Sequence, residues 1–178
     1  MKCARNGFIA LMFFFLTAAA ASADDGSIGK IGVGFEGMKY GNLITGVSTR
    51  SWILNRFGFE GNVFYGKVKC SYSEETITGD LWEVEPKVMV AIFVNQNSRF
   101  YAGAKLGYGR FGFEASDLSK HKGVFNPGVL IGTEFSFSEL PELGFNFEFG
   151  YSRNLYKIEG IKITIDGTSV AGGIHYYF

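Results

Sequence analysis

Cysteine, histidine and proline are nearly missing from this chain, at two, two and three in 178 residues. Cys3 lies ahead of an apolar run near the N-terminus and Cys70 lies far from it, so the exported part has no disulfide framework. Two distant histidines, His121 and His175, and one leftover cysteine give no metal-ligand spacing. Scarce proline means that the 25 glycines are not the signature of a disordered composition. Basic charge is not in excess either: 17 Lys and Arg face 17 Asp and Glu, which lacks the electrostatic footprint of a nucleic-acid binder. Beyond the N-terminal run, no stretch approaches the roughly 20 apolar residues of a spanning helix.

The single long apolar run sits in "MKCARNGFIALMFFFLTAAAASADD". Lys2 and Arg5 precede it, and Ala21-Ser22-Ala23 closes it with small residues before Asp24 and Asp25. A basic start, a short apolar core and a small-x-small exit describe a secretory signal peptide. Residues 1–23 are therefore expected to be removed, leaving one domain over 24–178. Loss of Lys2 and Arg5 leaves the exported part slightly acidic. Cys3 also lies on the wrong side of the apolar run to carry a lipid at the cleavage point.

What the chain does have is aromatics, 19 of them phenylalanine, and glycine in strict alternation with apolar side chains. Such a mixture suits a tightly curved sheet, where glycine relieves crowding that aromatics then cover. Period-two alternation recurs in eight segments separated by turn signals: Ile28–Gly37, Leu43–Leu54, Phe57–Val68, Leu81–Val94, Arg99–Phe113, Val124–Phe137, Leu143–Tyr156 and Thr168–Phe178. One face of these segments carries Val33, Phe35, Val47, Val63, Val88, Leu106, Ile131, Phe149 and Ile174. The other carries Lys30, Glu36, Arg50, Glu60, Glu83, Glu85, Lys87, Lys105, Glu134, Glu148 and His175.

A soluble barrel buries its greasy face and wets its charged one. Here the pattern fits the reverse arrangement. Mixed charges can pair along a narrow bore, whereas a lysine or arginine at mid-depth in lipid costs roughly 2–4 kcal/mol. Connections alternate between short ("NR", "NQNS", "SELPE") and long ("KCSYSEETITGD", "EASDLSKHKG", "KIEGIKITIDG"), with the long ones at one end. The expected fold is all-β: an eight-stranded antiparallel up-and-down transmembrane β-barrel with short periplasmic turns and longer extracellular loops. Closure is compulsory, because an open edge in lipid leaves backbone groups unpaired. Aromatics gather at the short-turn end (Phe57, Phe100, Phe135, Phe145, Tyr176) and again about ten residues up the strands (Tyr65, Trp82, Tyr108, Tyr151), as two membrane girdles would. Pro86 falls within the fourth segment, where a ladder bond is lost unless a bulge absorbs it. Eight strands leave a bore that side chains fill, so a general pore is not expected.

The chain ends on "AGGIHYYF", with Ile174, Tyr176 and Phe178 in one alternating file. That ending resembles the last strand of bacterial outer-membrane barrels, and the strand count and loop asymmetry resemble the small eight-stranded OmpA, OmpX and opacity-like proteins. The resemblance implies an outer-membrane location in a Gram-negative-type bacterium and contact with outer-membrane lipid and lipopolysaccharide. It further implies that Ile174, Tyr176 and Phe178 are the assembly signal read by the barrel-assembly machinery. It implies a structural role too, with loops presented to a host or surface ligand for adhesion, host contact or envelope integrity.

No residue calls for a cofactor, a metal or an enzymatic role. "GVGFEG" at Gly32–Gly37 matches a dinucleotide-binding string, but it lacks the βαβ context that motif requires. His121, near Ser116 and Ser119, is a candidate base for a lipid A-modifying barrel, without a positioned triad. Continuing the inward phase upward brings Phe111, Phe113, Ile161, Ile163 and Ile165 to an apolar rim. Two readings of that rim stand: strands packed beyond the membrane with Glu159-Gly160 at a hairpin tip, or an outer pocket for an acyl chain. A bulge near Gly167 would reverse the phase of the isoleucines.

Overall fold

The structure, a computed structural model, describes residues 29–40, 42–54, 56–72, 75–115, 118–158 and 161–178. The expected signal peptide, residues 1–23, lies outside them. Eight strands follow one another: β1 (Ile31–Tyr40), β2 (Asn42–Ile53), β3 (Phe57–Tyr72), β4 (Glu75–Asn95), β5 (Ser98–Ala115), β6 (Leu118–Phe137), β7 (Leu140–Ile158) and β8 (Ile161–Tyr177). Each pairs antiparallel with its sequence neighbours, and β8 pairs with β1 from Gly32↔Tyr177 to Lys39↔Val170, closing the barrel. The Phe178 N–H donates to the Ile31 carbonyl at 3.1 Å, extending the seam to the last residue.

Alternation sorts the side chains as a period of two requires. Phe35, Val47, Val63, Val88, Ile131, Phe149 and Ile174 are exposed on the outer wall. Glu36, Arg50, Glu60, Glu85, Lys87, Glu148 and His175 are buried in the bore. Aromatic rings on the short-turn side contact one another: Phe135 stacks on Phe145 at 5.5 Å, and Phe137 meets Phe145 edge-on at 5.7 Å. From Phe57 to Tyr65, and from Phe100 to Tyr108, the two aromatic rows are eight residues apart. That is roughly 27 Å along a strand, or about 20 Å across the wall once strand tilt is allowed for. The weakly apolar outer face of β2 satisfies its hydroxyls locally. Thr49 Oγ1 donates to the Gly61 carbonyl (3.4 Å) and Ser51 Oγ to the Lys30 carbonyl (3.0 Å).

The strands are longer than the sequence pattern suggests. Segments read as long loops continue as paired strands: β3–β4 reaches Tyr72↔Glu75, β5–β6 reaches Ala115↔Leu118, and β7–β8 reaches Ile158↔Ile161. Once a ladder is established below, antiparallel pairing needs no apolar face to continue, so polar residues hide the extension from a hydrophobicity reading. The β7–β8 register runs without a break past Gly167, so the bulge allowed for there is absent. Pro86 needs no bulge either. The β4–β5 ladder lapses at Glu85 and Pro86 and resumes in the same register at Lys87, while β3 still pairs across at Gly61. Asn126 and Pro127 interrupt β6–β7 in the same way. The bulge in β4 falls instead between Ala91 and Phe93, which turns Ile92, Phe93 and Val94 outward in succession.

The glycines of "GVGFEG" serve the seam rather than a nucleotide. A Cβ at Gly34 would lie 1.7 Å from the Ile174 carbonyl oxygen, whereas one at Gly37 would meet nothing nearer than 3.7 Å. Gly34→Val is therefore expected to abolish the closed barrel and Gly37→Ala to leave it intact. Protease resistance and β-sheet circular dichroism after refolding in detergent micelles will show the difference.

Candidate functional site

The bore is layered. Toward the short-turn end Trp52, Met89, Ala91, Tyr101 and Leu130 form an apolar cluster. Toward the long hairpins Met38, Ile44, Phe64 and Ala171 form another, with Leu81 packed against it. Along β2 and β3, Arg50 and Glu60 fall between the two, in a layer of charge shut off from water at both ends.

Charge inside a low-dielectric bore persists only when it is paired and hydrogen-bonded. Arg50 reaches four partners. Its Nη1 donates to Glu134 Oε2 (2.9 Å) and Tyr101 Oη (3.1 Å), its Nη2 to Glu148 Oε1 (2.8 Å), and its Nε to Glu60. Lys87 Nζ lies 2.7 Å from Glu36 Oε1, 2.8 Å from Glu60 Oε1 and 2.7 Å from Glu148 Oε2. Glu60 and Glu148 each touch both cations, so two cations and two carboxylates make a closed ring.

Uncharged groups supply further hydrogen bonds to these carboxylates. Glu134 accepts from Trp52 Nε1 (3.0 Å) and Tyr177 Oη (2.8 Å), and Glu148 from Tyr101 Oη (2.9 Å). Asn62 Nδ2 donates to Glu60 (2.7 Å) and Glu36 (3.3 Å), and Asn146 Nδ2 to Glu36 (3.4 Å). Above the ring, Lys105 Nζ lies 2.9 Å from Glu85 Oε2, and Asn126 Nδ2 donates to Glu83 at 3.3 Å. With Tyr101 and Lys105 from β5 and Tyr177 from β8, the network draws on every strand.

One residue expected in the bore lies elsewhere. Lys30 precedes β1, is half-buried, and contributes a carbonyl to Ser51 rather than a charge to the bore. Arg99 stands at the short-turn mouth instead, over the Trp52 ring at 5.2 Å and 4.0 Å from Glu134. Sequence reasoning looked for charge and so passed over Trp52, Asn62, Tyr101, Asn126, Asn146 and Tyr177. All six share the inward phase, and that was the available signal. Phe111 and Phe113 lie on β5, Ile161, Ile163 and Ile165 on β8, Cys70 on β3 and His121 on β6, but their side chains are outside the described residues.

Two arrangements resemble chemistry. His175 Nε2 and Ser48 Oγ are 2.7 Å apart, as a base and a nucleophile would be. Both are fully buried, and His175 Nδ1 meets no hydrogen-bonding partner among the described residues, so the pair lacks there the third group that orients a catalytic imidazole. Glu36, Glu60 and Glu148 converge within 4.8 Å, close enough to hold a metal ion. The Lys87 ammonium already stands among all three.

The fold has clear counterparts among solved structures. The N-terminal β-barrel domain of Pseudomonas aeruginosa OprF matches with a TM-score of 0.55 and 14% identity over 84% of this chain and 97% of that one. Ail, the attachment invasion locus protein of Yersinia pestis, in complex with the heparin analogue sucrose octasulfate, matches with a TM-score of 0.53 and 18% identity over the same shares. Neisserial surface protein A matches with a TM-score of 0.52 and 16% identity over 84% of this chain and 95% of that one. No protein-family model matches the chain, and no curated protein matches it in sequence. This is the fold of the small eight-stranded outer-membrane barrels.

Replacing Arg50 by Met leaves Glu60, Glu134 and Glu148 without their shared cation and is expected to cost about 3–5 kcal/mol. Adding Glu134→Gln to that variant should recover part of the loss. Equilibrium urea unfolding in micelles measures both.

Proposed function

We propose that this chain is an exported outer-membrane barrel of a Gram-negative-type bacterium, cleaved after Ala23, whose role is structural and surface-presenting rather than enzymatic. The observation that carries this reading is the inverted wall: exposed Phe35, Val88, Ile131 and Phe149 enclose a bore packed with ion pairs. In water the exposed file would be an aggregation surface; in lipid it is the required solvent contact. Side chains fill the bore, which speaks against a general pore. The hairpins β3–β4, β5–β6 and β7–β8 then rise beyond the upper aromatic row as the presented elements, for adhesion, host contact or envelope integrity. The likeness in fold to an attachment protein and to a surface protein is in keeping with this. The seam position of Ile174, Tyr176 and Phe178 suits a segment read by the barrel-assembly machinery before closure.

Epitope tags placed at residues 73–74 and at Gln96 separate the two ends. The first should bind antibody on intact cells and the second only after permeabilisation, and the opposite pattern would overturn the reading. Exchanging 69–78 for a two-residue turn should leave the barrel folded while cell attachment falls. A change in lipid A mass on adding purified protein would favour an enzyme instead. Val88, 53% exposed and six residues from both Trp82 and Val94, tests the wall itself. Val88→Arg should destabilise the barrel in bilayers by roughly 2–4 kcal/mol in an unfolding titration.

A further inference from the structure

The barrel wall is not equally tall all round. β1 and β2 have 10 and 12 residues, whereas β3 to β8 have 16 to 21. Pairing of β1 with β8 stops at Lys39↔Val170, and pairing of β2 with β3 stops at Thr45↔Tyr65. Above the β1–β2 turn two strand positions are therefore vacant. Residues 161–169 of β8 form one flank and 66–72 of β3 the other, and among the described residues nothing pairs with either on that side.

The direction of the free backbone groups follows from the seam. The Phe178 N–H donates to the Ile31 carbonyl, and the β1–β8 register then runs unbroken from Gly32↔Tyr177 to Lys39↔Val170. In an antiparallel ladder the N–H and C=O of one residue point to the same side, and alternate residues point to opposite sides. Even-numbered residues of β8 thus face β1 and odd-numbered ones face β7. The β7–β8 register continues unbroken to Ile158↔Ile161, which carries the alternation to the top of the strand. Lys162, Thr164 and Asp166 each turn an N–H and a C=O into the vacancy.

Proteins guard an exposed strand edge with lysine, proline or a bulge. The β3 flank has Lys67 and Lys69. A further free edge, residues 118–123 of β6 beyond the last β7 pair at Val124↔Tyr156, has Lys120 and Lys122. On β8, neither proline nor bulge interrupts 161–169, and its lysine, Lys162, stands near the tip. Asp166 on this stretch is neutralised by Arg153, whose Nε and Nη2 donate to its two oxygens at 2.9 and 3.0 Å. β8 is the open edge.

We propose that residues 161–169 of β8 accept an extended, acidic segment of another protein as an added antiparallel strand, seated above the β1–β2 turn. Main-chain hydrogen bonds to Lys162, Thr164 and Asp166 supply the affinity, as strand addition at an open sheet edge does. Charge selects the occupant. Lys39, Lys67, Lys69 and Lys162 hold positions around the vacancy, while the acids at this height are engaged: Asp166 by Arg153, and Asp80 by the Tyr65 hydroxyl at 3.1 Å. An acidic segment is attracted there, and the equally basic flank of a second copy is repelled. The inference rests on the surface-presenting reading and adds to it an edge and a kind of partner.

The test uses the mature barrel refolded in micelles and short labelled peptides of alternating Glu and Val or alternating Lys and Val. Fluorescence anisotropy reads binding, and amide hydrogen exchange by NMR locates it. The acidic peptide should bind about tenfold more tightly than the basic one and slow exchange of the Thr164 and Asp166 amides. Thr164→Pro removes an N–H that faces the vacancy and leaves the β7 ladder, made by odd-numbered residues, in place. It should weaken binding about tenfold, whereas Thr164→Ala, which keeps the N–H, should bind as the wild type does. If the proline variant does not fold, the exchange pattern of the wild type decides alone. Equal binding of the two peptides, unchanged binding by a folded Thr164→Pro variant, or protection at 66–72 or 118–123 instead of β8 would each overturn the proposal. So would protection of Thr164 that grows with barrel concentration in the absence of peptide, the mark of pairing between copies. A tag at residues 73–74 hidden from antibody on intact cells would instead bring down the surface-presenting reading, to which binding in micelles is indifferent.

Discussion

Arg50 cannot find its partners until the barrel is shut. Its carboxylates come from β1, β3, β6 and β7, and those of Lys87 from β1, β3, β4 and β7. In an open sheet these side chains would stand on strands far apart. Removing an ion from water carries an effective penalty of several kcal/mol, which only good geometry repays. The ring of Arg50, Glu60, Lys87 and Glu148 is thus stable in the closed, correctly registered barrel and in few other arrangements. A slip of one residue in any strand would move its bore residues to the outer wall.

That dependence makes the network a device for specificity as much as for stability. Apolar layers on both sides, around Trp52 and Tyr101 below and Phe64 above, keep water from competing for the ion pairs. Glycine permits the bulky members to fit. A Cβ at Gly132 would lie 2.7 Å from the Tyr101 ring, and the Tyr177 ring crowds the Cβ positions of Gly32 and Gly144 at 2.8 Å each. The same closure that completes the ion pairs also pairs the backbone of β1 with that of β8, so the bore and the seam are satisfied together.

The outer surface follows simpler rules. Between the aromatic rows it is apolar without interruption by charge, and its few hydroxyls turn back to carbonyls. Above the upper row, cations appear on the odd strands and the strands continue as polar hairpins. The apolar wall and the polar hairpins are therefore divided by height on the same strands, and the rising hairpins extend a ladder already formed beneath them.

The count of strands, their antiparallel order and the division into a greasy and a charged face were all legible in the sequence, because a period of two with apolar and charged residues in opposite phase admits one kind of sheet. Val88 and Lys87, adjacent in the chain, already belonged to different solvents. Strand ends were not legible: Thr76, Ile77 and Thr78 read as loop because pairing beyond the wall leaves no hydrophobic signature. Nor was the bore's chemistry. The phase indicates that Arg50, Glu60 and Glu148 point inward, but which of them meet depends on distances across the barrel between residues up to 98 positions apart. Neutral Tyr101 and Asn62, invisible to a search for charge, acquire their roles only there. Local pattern determines direction; contact across the bore is settled by closure, since only a closed wall brings opposite strands within reach of a side chain.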